Sequence, residues 1–442
     1  MHTFPWWLAW LPASIRTHVG RQGQLLQVIG NSGWLLADRL ARTVLGLLVG
    51  AWVARYLGPT EFGLLAYVVA NVAIFQAFAN IGADAIVVRD IAQQPSETSQ
   101  ILGSVLMLRL CFGSICWLGA VGSAWALSEP GSSTVAMTAV VAGTLIFQAA
   151  DVVDLWFQSQ SQSKRTVVSK LAAYVVANGG KVVLILIKAP LLAFAAVTAA
   201  EAGLAAVALW AAYRRFPAGA AWSATASMMR RLLREAWPFM LSGLSIMVYM
   251  RVDQLLVKEY LGPRELGIFA AVLPVSQLWQ AIPLAVAVSI APMVAQAKVR
   301  DLIEYRQVVL LIFRAFFVAG VVSAFVTWAV SGILVPLLFG QAFVAAVPIL
   351  NVHAISNIFC FLGIAHGLWL TSERRFGVRL CGTMLAGLVT VALNVYLLPR
   401  IGLMGASYAA IASQCVAALL INAVLDPQGF RLQVQAITFR KA

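Results

Sequence analysis

The chain has 442 residues, of which 61% are hydrophobic and only 11% are charged, and its formal net charge is +14. A soluble domain does not need so much apolar side chain, because much of a globular surface must face water. Binding to nucleic acid is disfavoured as well, since the basic residues lie singly or in pairs at the ends of apolar runs. The composition therefore indicates a polytopic membrane protein.

Continuously apolar runs recur along the chain and lack the period-two alternation of strands, so we predict an all-α fold. The predicted spans are twelve, near residues 31–55, 62–82, 101–127, 134–157, 167–187, 190–213, 237–261, 266–292, 307–330, 344–370, 376–398 and 401–425. The tryptophan-rich start within 1–30 resembles an interfacial anchor more than a signal peptide. The last segment, 426–442, is predicted to be a tail.

One segment of the chain occurs twice. Residues 54–65 read ARYLGPTEFGLL, residues 258–269 read KEYLGPRELGIF, and each copy lies between two apolar runs, at an offset of 204 residues. We therefore predict two six-helix lobes related by a parallel repeat, 31–213 and 236–425, joined by a linker at 214–235 that carries an amphipathic helix. Two such lobes facing each other, with a central path between them, are typical of a transporter.

The distribution of basic residues predicts the orientation. With the N-terminus inside, 19 of the 31 Lys and Arg residues lie on the cytoplasmic side and 5 on the outer side, and the remainder lie within spans. By the positive-inside rule, both termini are expected in the cytoplasm.

Several short motifs resemble those of polysaccharide-unit (O-antigen type) flippases, in the multidrug/oligosaccharidyl-lipid/polysaccharide exporter superfamily. They are NSGWL at 31–35, ARYLGP at 54–59, DLWFQS at 154–159, WPF at 237–239, YMRVD at 249–253 and PRIG at 399–402. The resemblance implies that the two lobes form a V around a central cavity and open alternately to each side. It also implies movement of an undecaprenyl-pyrophosphate-linked oligosaccharide to the periplasmic leaflet of a bacterial inner membrane. It also implies a polysaccharide polymerase and a chain-length regulator as candidate partners, and no cofactor.

Cations within spans are the best candidates for binding an anionic headgroup, because arginine stays protonated and grips phosphate oxygens through two hydrogen bonds. The predicted substrate-binding residues are Arg39, Arg42, Arg251, Arg109 and Lys181. Arg39 and Arg42 lie about one turn apart and share a helix face. For Arg109, pairing with a carboxylate near the first cytoplasmic loop is the alternative.

Three acidic residues within spans are candidates for coupling or for charge pairing. Asp38 lies four residues before Arg42, and a packing bridge between them is the alternative to function. Asp253 is two residues from Arg251, so the two side chains leave the helix in different directions. Glu201 lies in an alanine-rich span and could pair with Lys181.

Other polar residues within spans are assigned structural roles. Lys170 and Arg314 are expected to snorkel, and Asp151 with Asp154 to form a salt-bridge cluster at a helix end. No metal site is expected, because the two histidines of span ten are far apart in sequence and the cysteines lack ligand spacing.

Two other functions compete with that of a flippase. A drug or cation antiporter of the same superfamily needs acidic residues in its cavity, whereas basic residues outnumber acidic ones within the spans. A membrane-embedded polymerase or ligase would need a substantial outer loop with catalytic residues, and the outer loops are short.

Overall fold

The computed structural model describes residues 23–128, 132–219 and 221–439, with most side chains from Ala41 onward. Within these ranges the backbone forms helices and contains no strand. The α-helices are α1 (Gly23–Ala79), α2 (Asp84–Gln93), α3 (Thr98–Leu127), α4 (Ser133–Phe147), α5 (Val152–Ser159), α6 (Ser163–Leu186), α7 (Leu191–Arg215), α8 (Ala226–Leu261), α9 (Pro263–Leu278), α10 (Ala281–Arg300), α11 (Leu302–Phe339), α12 (Ala346–Ala354), α13 (Ser356–Ser372), α14 (Phe376–Ile401), α15 (Met404–Cys415), α16 (Asn422–Leu425) and α17 (Pro427–Ile437).

The described part contains 11 helical stretches that are long and apolar enough to cross a membrane. The first of them, Ala41–Gln93, contains α1 from Ala41 onward, and α1 breaks at Gly58 into two halves, 23–57 and 59–79. Counting these halves separately gives twelve crossings, six up to the end of α7 and six from α8 onward. The predicted all-helical polytopic fold with twelve transmembrane helices is confirmed.

The repeated motif forms the same turn in both lobes. Gly58 has φ 72° and ψ 171°, and Gly262 has φ 91° and ψ 173°. This left-handed region favours glycine, and the proline that follows each glycine begins the next helix, where its missing N–H costs nothing. The sequence YLGP therefore reverses the chain between the first two crossings of each lobe.

The two lobes meet where the second half of α1 crosses α9. Gly63 and Gly267, which are related by the repeat, lie at this crossing. A Cβ on Gly63 would overlap the carbonyl oxygen of Pro263, and a Cβ on Gly267 would overlap that of Pro59. The largest buried apolar cluster surrounds the crossing and contains side chains from both lobes. The repeat thus provides the close backbone contact that joins the lobes.

Helix α8 belongs to both lobes. The side chain of Thr225 caps its start by accepting a hydrogen bond from the amide of Met228. Its first turns pack into the apolar core of the first lobe through Met228, Leu232 and Ala236. The helix then continues as the seventh crossing, so the helix predicted in the linker is continuous with that span. This arrangement brings Arg251 beside the first lobe.

The C-terminal helix α17 is fastened by a buried carboxylate. Asp426 is fully buried and accepts hydrogen bonds from His366 Nε2 at 3.0 Å, Trp369 Nε1 at 2.8 Å and Arg375 at 2.7 Å. Burial alone would raise the pKa of Asp426, but hydrogen bonds from His366, the Gly429 amide and Trp369 outweigh it and hold the pKa below its ordinary value.

Candidate functional site

A cavity of about 430 Å³ lies in the first lobe and is completed by one side chain of the second. Three helices contribute faces with helical spacing: residues 69, 72, 73 and 76 of α1, residues 144, 147, 148 and 151 of the fourth crossing, and residues 198, 201, 202 and 205 of α7. Arg42, Lys170 and Arg251 supply its cations. The cavity is thus a charged site among membrane-spanning helices, bordered by helix faces rich in alanine and valine.

Arg42 lies on the first half of α1 beside Tyr174 of α6. The guanidinium carbon is 4.8 Å from the centre of the Tyr174 ring, and the Tyr174 hydroxyl donates a hydrogen bond to the carbonyl oxygen of Arg42 at 2.9 Å. The ring thereby supports the guanidinium from one side while the charge reaches the cavity. The structure thus brings this predicted residue into the site.

Arg251 is the second-lobe residue of the cavity. It is partly buried on α8, and no carboxylate among the described side chains lies within 4.0 Å of it. Asp253, two residues further on, is 9% exposed and does not line the cavity. Its carboxylate accepts a hydrogen bond from the amide of Gln254 at 2.7 Å. As helical geometry requires, the two charges point to different surroundings, and the positive one faces the cavity.

Lys170, which the sequence predicts to snorkel, instead lines the cavity. Its Nζ lies 2.7 Å from Asp151 and 2.8 Å from Asp154, so the salt-bridge cluster expected for these two aspartates exists, with Lys170 at its centre. The signal in the sequence was the spacing of three between the two carboxylates, followed by a lysine on the next helix. Which lysine would face them depends on how α6 is rotated against its neighbours.

Lys181 and Glu201 form a looser ion pair, with 3.8 Å between Nζ and Oε2. Glu201 lines the cavity and also interacts electrostatically with Arg42. Lys181 itself does not line the cavity. Glu201 therefore links the cavity to Lys181, a positive charge outside it.

The remaining predicted residues lie elsewhere or outside the description. Arg109 is 3% exposed and pairs with Asp84 at 2.5 Å, the alternative raised from the sequence, and it does not reach the cavity. Asp38 and Arg39 lie on α1, but their side chains fall outside the described residues. Of the five predicted substrate residues, the structure therefore brings Arg42 and Arg251 together.

The fold is that of a polytopic helical membrane protein. A sequence profile of the family described as "Polysaccharide biosynthesis protein" matches residues 28–298, more than half of the chain. The chain therefore belongs to this family. A comparison with curated proteins found no match.

Solved structures share the fold at low sequence identity. An inward-facing multidrug resistance MATE family transporter of the MOP superfamily is 17% identical, with a TM-score of 0.69 over 91% of this chain and 96% of that one. The lipid II flippase MurJ in an inward closed conformation is 12% identical, with a TM-score of 0.66 over 91% of each chain. An outward-facing multidrug resistance MATE family transporter is 16% identical, with a TM-score of 0.60 over 94% of this chain and 97% of that one. The profile match confirms the family resemblance inferred from the motifs, and the solved structures show that the fold is shared.

Proposed function

We propose that the protein is a flippase that moves undecaprenyl-pyrophosphate-linked oligosaccharide units across the bacterial inner membrane, from the cytoplasmic to the periplasmic leaflet, for the synthesis of O-antigen, capsule or exopolysaccharide. The observation that carries the proposal is that Arg42 of the first lobe and Arg251 of the second line one cavity. Both termini lie in the cytoplasm, as the charge asymmetry of the loops indicates.

The task of such a protein is electrostatic. A charged group at the centre of a bilayer costs about 2.5–3.5 kcal/mol on insertion scales, and a pyrophosphate carries more than one charge. Two guanidinium groups offset this cost, because each offers a fork of donors that fits phosphate oxygens and keeps its proton. The lipid tail can remain in the bilayer, so the cavity has to accommodate only the headgroup.

The position of Arg251 suggests how binding is linked to movement of the lobes. Arg42 and Arg251 belong to different lobes, so an anion held between them draws the lobes together at the cavity. Rocking of the lobes about the Gly63–Gly267 crossing would then change the side from which the cavity is reached. Asp253 and Glu201 remain the candidate coupling groups, Glu201 through its interactions with Lys181 and Arg42.

The rival function within the superfamily is export of cationic drugs. That function needs carboxylates free to hold a cation, whereas Asp151 lies 2.7 Å from Lys170 and Glu201 lies 3.8 Å from Lys181. The rival of another class, a polysaccharide polymerase or ligase, is disfavoured because the structural neighbours of the chain are transporters and a flippase. A cationic cavity in this setting supports an anionic lipid-linked cargo.

Reconstitution tests the proposal. Vesicles containing the purified protein should move a fluorescent prenyl-pyrophosphate glycolipid between leaflets, as measured by dithionite quenching from outside. The double variant Arg42→Ala/Arg251→Ala should lose most of this movement. Arg264→Ala, an exposed arginine outside the cavity, is the matched control and should keep it. Unchanged movement in the double variant would refute the proposed role of the cavity.

A further inference from the structure

The fourth crossing carries an aromatic ring that faces the cavity. Phe147 is 45% exposed, and it lines the cavity at the end of α4. Its ring lies over the glycines of two helices: a Cβ on Gly203 would meet the ring at 3.8 Å, and a Cβ on Gly143 at 3.9 Å. Because neither glycine has a side chain, the ring is supported by backbone on one side and open toward the cavity on the other.

The next residue, Gln148, is an amide whose hydrogen-bonding capacity is not used up within the protein. Its Oε1 is inaccessible to solvent and has no hydrogen-bond partner among the described residues. A buried polar atom without a partner is unfavourable unless a ligand or water satisfies it. Gln148 also begins a 3₁₀ turn, Gln148–Asp151, that interrupts the helix in mid-crossing. Such interruptions often mark functional positions.

These groups together fit a sugar ring. A pyranose has an apolar face of C–H groups, which packs on an aromatic ring, and a rim of hydroxyls, which an amide can both donate to and accept from. Gln76 of α1 adds a second amide to the same cavity. A lipid tail would leave both amides unsatisfied, and a drug cation would be repelled by Arg42 and Arg251.

We infer that Phe147 and Gln148, with Gln76, form the subsite for the sugar attached directly to the pyrophosphate. The inference rests on the proposed function and deepens it, since the guanidinium groups that line the same cavity would hold the adjoining pyrophosphate. In this arrangement the arginines recognise the charge that all such lipids share. Phe147 and Gln148 recognise the sugar that is attached to the pyrophosphate.

Binding to the full-length protein in nanodiscs tests the inference, with farnesyl pyrophosphate and the same molecule bearing one hexose on its terminal phosphate as probes. By thermophoresis, the wild-type protein should bind the hexose-bearing probe about tenfold more tightly. Phe147→Leu and Gln148→Leu should each remove about that factor for the hexose-bearing probe and leave the bare probe within about twofold. Phe325→Leu is the matched control, because Phe325 is exposed on α11 outside the cavity.

The bare probe separates the two proposals and reports whether each variant is folded. Equal wild-type affinities for the two probes, or equal losses for both probes in the variants, would overturn the sugar subsite and leave the flippase proposal standing. If the wild-type protein binds neither probe, both proposals fail.

Discussion

The glycine crossing between the lobes offers a sharp test of the fold. In the variant Gly63→Ala, the new Cβ would overlap the carbonyl oxygen of Pro263 and lie 2.8 Å from the amide nitrogen of Gly267. Ordinary contact begins near 3.4 Å, so relieving the overlap with the Pro263 oxygen requires the second half of α1 and α9 to move apart by more than about 1 Å. Overpacking of this kind lowers the free energy of unfolding by about 1–3 kcal/mol. Gly267→Ala should have a similar effect, because Gly267 makes the equivalent contact with Pro59.

The assay is thermal unfolding of the detergent-solubilised protein followed by tryptophan fluorescence. Both variants should melt several degrees below the wild-type protein. Gly50→Ala is the matched control on the same helix, since a Cβ there meets nothing within 4 Å. If Gly63→Ala and Gly267→Ala melt together with Gly50→Ala, the close crossing of the two lobes is refuted.

Two further predictions concern buried charges. Asp426→Asn should loosen helix α17, seen as faster hydrogen exchange over residues 427–437. Because the pKa of Asp426 is held down in the fold, its stabilising effect is present at neutral pH and is lost below about pH 4, a step that the variant should lack. Asp84→Ala should destabilise the protein by about 1–3 kcal/mol, because it removes the carboxylate partner of the buried Arg109, although Asp84 itself is 59% exposed. Adding Arg109→Met should restore melting, and a double variant no more stable than the single one would contradict the pairing.

Much of the architecture could be predicted from local sequence. Apolar runs of about 20 residues predict the crossings, and YLGP predicts the turn between the first two crossings of each lobe. The repeat also contains the crossing itself, since Gly63 and Gly267 lie within the duplicated segment. Helix α8 is harder to predict, because its polar first turns resemble a separate linker helix until the core that buries Met228 and Leu232 is known.

The site was only partly predictable, because which charges meet depends on the rotation and packing of whole helices. Arg251 and Asp253 could be separated by helical geometry alone. For Arg109, the sequence allows either substrate binding or pairing with a carboxylate, and it does not decide between them. Lys170 was assigned to the lipid interface, since the sequence does not show that α6 turns it toward the fourth crossing.

The most direct measurement of the central claim compares the affinity of the protein for geranylgeranyl pyrophosphate with that for geranylgeraniol, in the wild-type protein and in Arg251→Gln. If the cavity binds the charged headgroup, the wild-type protein should prefer the pyrophosphate by at least about tenfold, and Arg251→Gln should lose most of this preference. Equal wild-type affinities for the two molecules, or an undiminished preference in Arg251→Gln, would contradict a cationic cavity that recognises an anionic lipid.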